Sequence, residues 1–345
     1  MRGRALKSIL GLVLTVLLLW WVLRDVSVAE VWLRVRQADP WLLTGAVIVA
    51  TFSFVLRALR WRVLLEPTHP DSRFNPRFGA TCIGFAVNNL LPARLGEFAR
   101  AYALSRTENL NIGASVASLV AERVFDGLVL ALFLFVTISL PGFPLGEGST
   151  ATIVRRTANI GAIAFVLAFF VLWLAARHSD RSVRLFERVA DRWLSAALGA
   201  RVSRLLAGFL AGLGSLHDTA TFVRALGWSL VVWVNLSISI WLGLLAFGIT
   251  EPGLAGAIFL QSVIAFAVAA PSSPGFFGVF EAATRLGLGV YGIPATDMVS
   301  FATSYHILTF VPVTIIGLWY IRHFGFSWSE MGHSEEIVEA AVHED

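Results

Sequence analysis

The chain alternates long apolar runs with short polar intervals. Apolar stretches cover 6–23, 40–65, 114–140, 158–176, 223–249 and 296–321. A helix crossing a bilayer needs roughly 20 predominantly apolar residues, so this pattern predicts six full transmembrane helices. Two further stretches, 78–91 and 254–270, are apolar but short of that length. The first run could pass for a signal peptide, because Arg2, Arg4 and Lys7 lie at its start, but Trp20, Trp21 and Arg24 follow it in place of a small-residue cleavage site. It is read as an uncleaved span.

Each short stretch leads into the same pattern. Pro92, Gly96, Phe98 and Ala101 recur 182 positions later as Pro274, Gly278, Phe280 and Ala283. Paired interrupted segments in the two halves of a membrane protein point to a transporter site. Charge parity decides their topology. The positive-inside rule places the N-terminus and the arginine-rich segment 177–204 on the cytoplasmic side. A full crossing by 78–91 would put that segment outside, whereas a helix that enters and returns removes the conflict. The same count makes the second short stretch a hairpin entering from the outer face. The expected fold is therefore an all-α polytopic membrane protein with six full spans and two re-entrant helical hairpins in an inverted repeat. Both termini are expected in the cytoplasm, with the protein in the cell membrane.

Composition agrees with a membrane protein. The chain is 57% hydrophobic and 14% charged, with a mean hydropathy of +0.73. That is too apolar for a soluble domain of this length. The net charge of +4 lies in loops, which favours lipid headgroups over nucleic acid as partners. One cysteine, Cys82, excludes an internal disulfide and any multi-cysteine metal site. Within 177–204, seven arginines oppose three acids, and Arg181, Arg184, Arg188 and Arg192 recur at helical spacing. This segment is expected to lie as an amphipathic helix on an anionic membrane surface. Residues 1–322 are expected to form one membrane domain, and 323–345 a disordered acidic tail.

Proline suits the first turn of a helix, where its missing N–H is not needed. Ser273 and Pro274 read as N-cap and first helical residue, and Pro92 repeats the proline. Each return helix would then begin at membrane depth with free N–H groups and a partial positive charge, which suits an anion. Asn88, Asn89, Ser272 and Ser273 add hydrogen-bonding groups at the tips, and Arg94 adds a full charge. A phosphate or phosphodiester is the natural occupant. Alternatively, these polar groups only satisfy broken backbone.

Glu122, Arg123 and Asp126 stand in an otherwise apolar span, and Glu97 and Arg100 are spaced to pair on the first return helix. Charges inside a span face the protein interior or a wet path. They form either a headgroup- or proton-responsive network or an internal ion-pair lock. Glu281 lies on the second return helix, and His306 reads as a hydrogen-bonded core residue. No Walker A, HExxH or GxSxG pattern and no ligand cluster occurs, so no catalytic residue, cofactor or metal is assigned.

The segments Arg57–Leu65, Gly84–Tyr102, Glu122–Asp126 and Pro271–Glu281 together resemble the signature blocks of the lysylphosphatidylglycerol synthase transmembrane domain family, also called the flippase-like domain or UPF0104 membrane proteins. Ala93 stands where many relatives have glycine. The resemblance implies a bacterial or archaeal membrane protein that handles lipids. In two-domain members the membrane part is associated with flipping an aminoacylated phospholipid made by a soluble C-terminal domain. This chain ends soon after its last span, so lysyl transfer is not carried over. The positions the resemblance marks are Asn89, Pro92, Arg94, Gly96, Glu97, Arg100, Glu122, Arg123, Asp126, Pro274, Gly275 and Glu281. The expected function is translocation of an anionic or zwitterionic phospholipid, or a polyprenyl-phosphate-linked lipid, between leaflets. The alternatives are a membrane enzyme acting on such lipids and a non-catalytic partner of a separate lipid synthetase or glycosyltransferase.

Overall fold

A computed structural model describes residues 13, 15–91, 94–144, 218–269 and 274–344, with isolated helical positions between 156 and 181. Pro92, Ser272, Ser273 and all of the amphipathic segment 177–204 except Arg181 lie outside the described residues, as does most of the expected span 158–176. Among the described residues every regular element is helical. Residues 15–23 are helical, and the helices with both ends described are numbered here from α1, Val28–Gln37.

Among the described residues, three helices are long and apolar enough to cross a membrane by length and composition: α2 (Pro40–Leu65), α6 (Thr219–Ala246) and α9 (Ala295–His323). Their starts follow from capping. Asp39 accepts from the N–H groups of Trp41 at 2.8 Å and Leu42 at 3.1 Å, and Pro40 occupies the first turn of α2. Asp218 does the same for Ala220 and Thr221 at the start of α6. A fourth long helix, α5 (Ile112–Ser139), has 28 residues but carries Glu122, Arg123 and Asp126 near its middle. Such a helix is stable in lipid only with those charges turned inward.

The two short apolar stretches each form half of an antiparallel helix pair. The first pair is α3 (Phe74–Leu90) and α4 (Gly96–Glu108). Glu108, at the end of α4, accepts from the Arg73 N–H at the start of α3, while Asn88 meets Gly96 at the other end. Close backbone approach requires glycine here: a Cβ on Gly96 would lie 1.9 Å from the Gly84 carbonyl oxygen. The second pair is α7 (Gly253–Ala269) and α8 (Val279–Gly289). The two tips meet, because the Arg94 guanidinium donates to the Ala269 carbonyl at 2.5 Å.

The link after the first span carries a ten-residue helix, α1, none of whose residues is buried. Its exposed Trp32 and Leu33 suit the membrane interface. The C-terminal tail, expected to be disordered, forms α10 (Trp328–Gly332) and α11 (Ser334–Glu344). Its acidic composition conceals two anchors, Met331 and Val338, which are buried in the core cluster with Leu104 and Leu119. Ser327 and Glu330 form a capping box that starts α10.

Candidate functional site

The two carboxylates of α5 are buried against arginines from two other helices. Glu122 and Asp126 are 0% and 3% exposed. From α2, Arg60 reaches Asp126 at 2.5 Å, Glu122 at 3.1 Å and the Ser229 hydroxyl on α6 at 3.0 Å. From α4, Arg100 makes a two-pronged pair with Glu122 at 2.7 and 3.0 Å. Arg123 touches both carboxylates, Glu122 at 2.6 Å and Asp126 at 3.4 Å. Trp233 on α6 donates its indole N–H to Asp126 at 2.8 Å. The Arg100 guanidinium lies 3.9 Å from the Trp61 ring centroid, and Trp61 itself donates to Ser118.

Arg57 completes the cluster and differs from its neighbours. It is 5% exposed, yet its Nε and Nη1 make no hydrogen bond. Its nearest carboxylate oxygen, on Asp126, is 3.9 Å away, too far for one. The Phe85 and Trp233 rings flank it at 5.3 and 5.4 Å. Three buried guanidiniums, of Arg57, Arg60 and Arg100, thus face two buried carboxylates, a buried excess of one positive charge, while the Arg123 side chain is 41% exposed. Buried charge is tolerated only when paired, so this excess calls for an anion.

A cavity of about 540 Å³ opens beside the cluster. It is lined by Arg57, Arg94, Arg100, Arg123 and Asp126, with Asn88, Asn89, Gly96 and Glu97 from the first hairpin. The opposite wall comes from α7, α8 and α9 and includes Gln261, Phe280, His306 and Phe310. Both hairpin tips therefore border one space.

The tips themselves are built differently from the sequence expectation. The second return helix starts at Val279, not Pro274: Pro274–Phe276 is a 3₁₀ turn in which Gly275 has φ 65°. Gly278, at φ 84°, is the N-cap, and the Glu281 carboxylate folds back onto its N–H at 2.7 Å. In the first hairpin Asn88 accepts from the Gly96 N–H at 2.8 Å. The exposed N–H groups expected to hold an anion are thus partly occupied by the protein's own side chains. The free positive charge sits on the arginines instead.

The pairing of charges is also redistributed. Glu97 pairs with Arg94 at 3.0 Å, not with Arg100, whose partner is Glu122. The link between the return helix and the α5 span exists, and it runs through Arg100. Asn89 donates to Thr314 on α9 at 2.8 Å, so it fastens the hairpin to that helix. Glu281 is 3% exposed and accepts from or shares a proton with His306 Nδ1 at 2.8 Å. Arg57 and Arg60, in the last turns of α2, are both buried. Their spacing of three, with Trp61 adjacent, was the available signal: it puts the two arginines on one face, while Arg62 faces outward.

An all-helical membrane protein with an arginine-rich internal cavity between two helical hairpins is the class these features define. The chain belongs to the lysylphosphatidylglycerol synthase TM region family, whose model matches residues 8–317. It is 28% identical to "Glycosyltransferase AglD" of Haloferax volcanii over 87% of this chain and 51% of that protein, so the chain spans about half the length of this relative. It is 24% identical to a UPF0104 membrane protein of Methanothermobacter thermautotrophicus, covering 82% of this chain and 83% of the relative. It is 20% identical to the UPF0104 membrane protein MJ1595 of Methanocaldococcus jannaschii, covering 92% and 95%. No solved structure matches.

Proposed function

We propose that the protein moves a phosphate-bearing lipid, a phospholipid or a polyprenyl-phosphate-linked lipid, between the leaflets of the cell membrane. The observation that carries this reading is the unbalanced arginine cluster beside the cavity. Arg57 offers two nitrogens, Nε and Nη1, without hydrogen bonds, and Arg94 and Arg123 border the same space. A phosphate would neutralise the excess and accept charge-assisted hydrogen bonds, while the lipid tails stay in the hydrocarbon. Arg60, Arg100, Glu122 and Asp126 serve as the scaffold that holds the cluster rigid.

Six full spans and two re-entrant hairpins complete the proposal, with both termini in the cytoplasm and 1–322 acting as one membrane domain. The hairpins enter from opposite faces, and their contact through Arg94 and Ala269 separates the two sides of the cavity. Broken helices survive at membrane depth where they line such a cavity. Tilting one hairpin opens a path to one leaflet, and tilting the other opens the second.

A second reading is favoured by one comparison: the glycosyltransferase-named relative aligns over only 51% of its length, so the matched half sits beside other sequence there. In this reading the protein is a membrane partner of a separate lipid-modifying enzyme. Purified protein in liposomes separates these. Leaflet exchange of a fluorescent anionic phospholipid with no covalent change supports translocation. A modified lipid indicates an enzyme, and inactivity without an added enzyme indicates a partner.

A further inference from the structure

The arginine cluster leaves one buried titratable pair unused. His306, in the middle of α9, meets Glu281 of α8 through Nδ1 at 2.8 Å. The ring stacks on Phe280 at 4.3 Å and lies 4.8 Å from Phe277. Glu281 is held in turn by the Gly278 N–H, so its carboxylate is fixed at the helix start. Histidine and Phe280 border the same cavity as Arg57 and Arg94, on the opposite wall.

We propose that the Glu281–His306 pair is a proton-binding site coupled to the anion site across the cavity. This rests on the cavity being an anion site. The carboxylate engages Nδ1, which assigns the first ring proton there and leaves Nε2 to take the second. With both nitrogens protonated the pair is an imidazolium and a carboxylate, with no net charge. With Nε2 unprotonated it carries one negative charge. That charge would repel an anion held in the same low-dielectric space. Proton binding and anion binding therefore favour each other, and the coupling is reciprocal.

The surroundings leave this pair as the titrating element of its wall. On α8, Arg285 points away, donating to the Trp21 and Val22 carbonyls and to Asp25. Tyr305, beside His306 on α9, shares a hydrogen bond with Ser239 on α6. From α7 and α3 the cavity receives the neutral Gln261, Asn88 and Asn89. Asp297, at the start of α9, pairs with Arg34 of α1. Across the cavity stand Arg57, Arg94, Arg100 and Arg123 with Glu97 and Asp126; the arginines keep their charge throughout the range in which imidazole titrates.

The test is binding of phosphatidylglycerol to the full-length protein in neutral detergent, by calorimetry, from pH 5.5 to 8.5. This lipid is a phosphodiester, so its own charge is constant across the range. Affinity should fall at least about fivefold as pH rises, the low end of coupling between sites. Binding at pH 7 should also take up protons from the buffer. His306→Gln keeps a donor toward Glu281 and should bind with no pH dependence and no proton uptake. Glu281→Gln serves if that variant folds poorly: it removes the negative charge and should bind more tightly than the unsubstituted protein at pH 8.5. Affinity independent of pH in the unsubstituted protein, or a pH profile retained by His306→Gln, overturns the proton site and leaves the anion site standing. No binding at any pH overturns the anion site and this inference with it.

Discussion

Replacing Asp126 with asparagine should destabilise the protein more than any other single change in the cavity. Asparagine has nearly the same shape and keeps an acceptor for the Trp233 indole, 2.8 Å away. What it removes is one of two buried negative charges facing the buried Arg57, Arg60 and Arg100, raising the buried excess from one positive charge to two. Arg60 suffers most, because it is fully buried and Asp126 is its closest partner at 2.5 Å. Breaking a buried pair while leaving the other charge in place costs about 3–5 kcal/mol. Reversible unfolding of the purified protein in detergent measures this, and the loss should appear at low salt and persist at high salt, because buried charges are poorly screened. Arg60→Met together with Asp126→Leu should recover much of the loss, since both charges leave together. A change below about 1 kcal/mol for Asp126→Asn, the scale of an exposed pair, would show that the cluster is solvated and the scaffold reading wrong.

Other outcomes follow from the same geometry. Arg94→Ala should lower anionic-lipid binding by about tenfold, one charge-assisted hydrogen bond being worth about 1.5–3 kcal/mol, with little change in melting temperature. Gly96→Ala should disrupt the first hairpin, because its Cβ would fall 1.9 Å from the Gly84 carbonyl; normal folding and exchange in that variant would refute the close approach. Single cysteines in the loops 66–73 and 109–111, in a Cys82→Ser background, should both resist an impermeant thiol reagent in intact cells, and labelling of one alone would make α3 a full crossing. The Asp218 carboxyl, held below its usual range chiefly by the Thr221 N–H, contributes cap stability above the unfolded-state value that is lost as pH falls through its folded value. Asp218→Ala should lower the unfolding midpoint at pH 7 and leave it unchanged below that window.

Apolar run lengths and capping residues made much of the helical framework legible: α2, α5, α6 and α9 lie close to the expected spans, and both short stretches became helices of 17 residues. What escaped was tertiary. Arg57 and Arg60 sit near a helix end, where arginine ordinarily snorkels to the headgroups, and the distant Glu122 and Asp126, the latter 66 positions along from Arg60, draw them inward. Glu97 and Arg100 have the spacing of a pair, but the partners that win, Arg94 and Glu122, depend on how α4 docks against α5. The start of the second return helix was misplaced because proline is acceptable in a first turn, whereas the positive φ values at Gly275 and Gly278 permit a tight turn before the helix begins. The tail was misread because composition reports charge, while two buried side chains suffice to dock a short helix.

Arg57 lacks hydrogen bonds at Nε and Nη1, which suits it to bind a lipid phosphate. Arg57→Met keeps the packing volume between Phe85 and Trp233 and removes one excess charge. The direct measurement is leaflet exchange of a fluorescent phosphatidylglycerol in liposomes carrying equal amounts of folded unsubstituted and Arg57→Met protein, with unfolding midpoints recorded in parallel. Exchange should slow by about tenfold or more in a variant at least as stable as the parent. Full exchange by Arg57→Met, or exchange lost only in proportion to folded protein, would rule out Arg57 as the phosphate ligand.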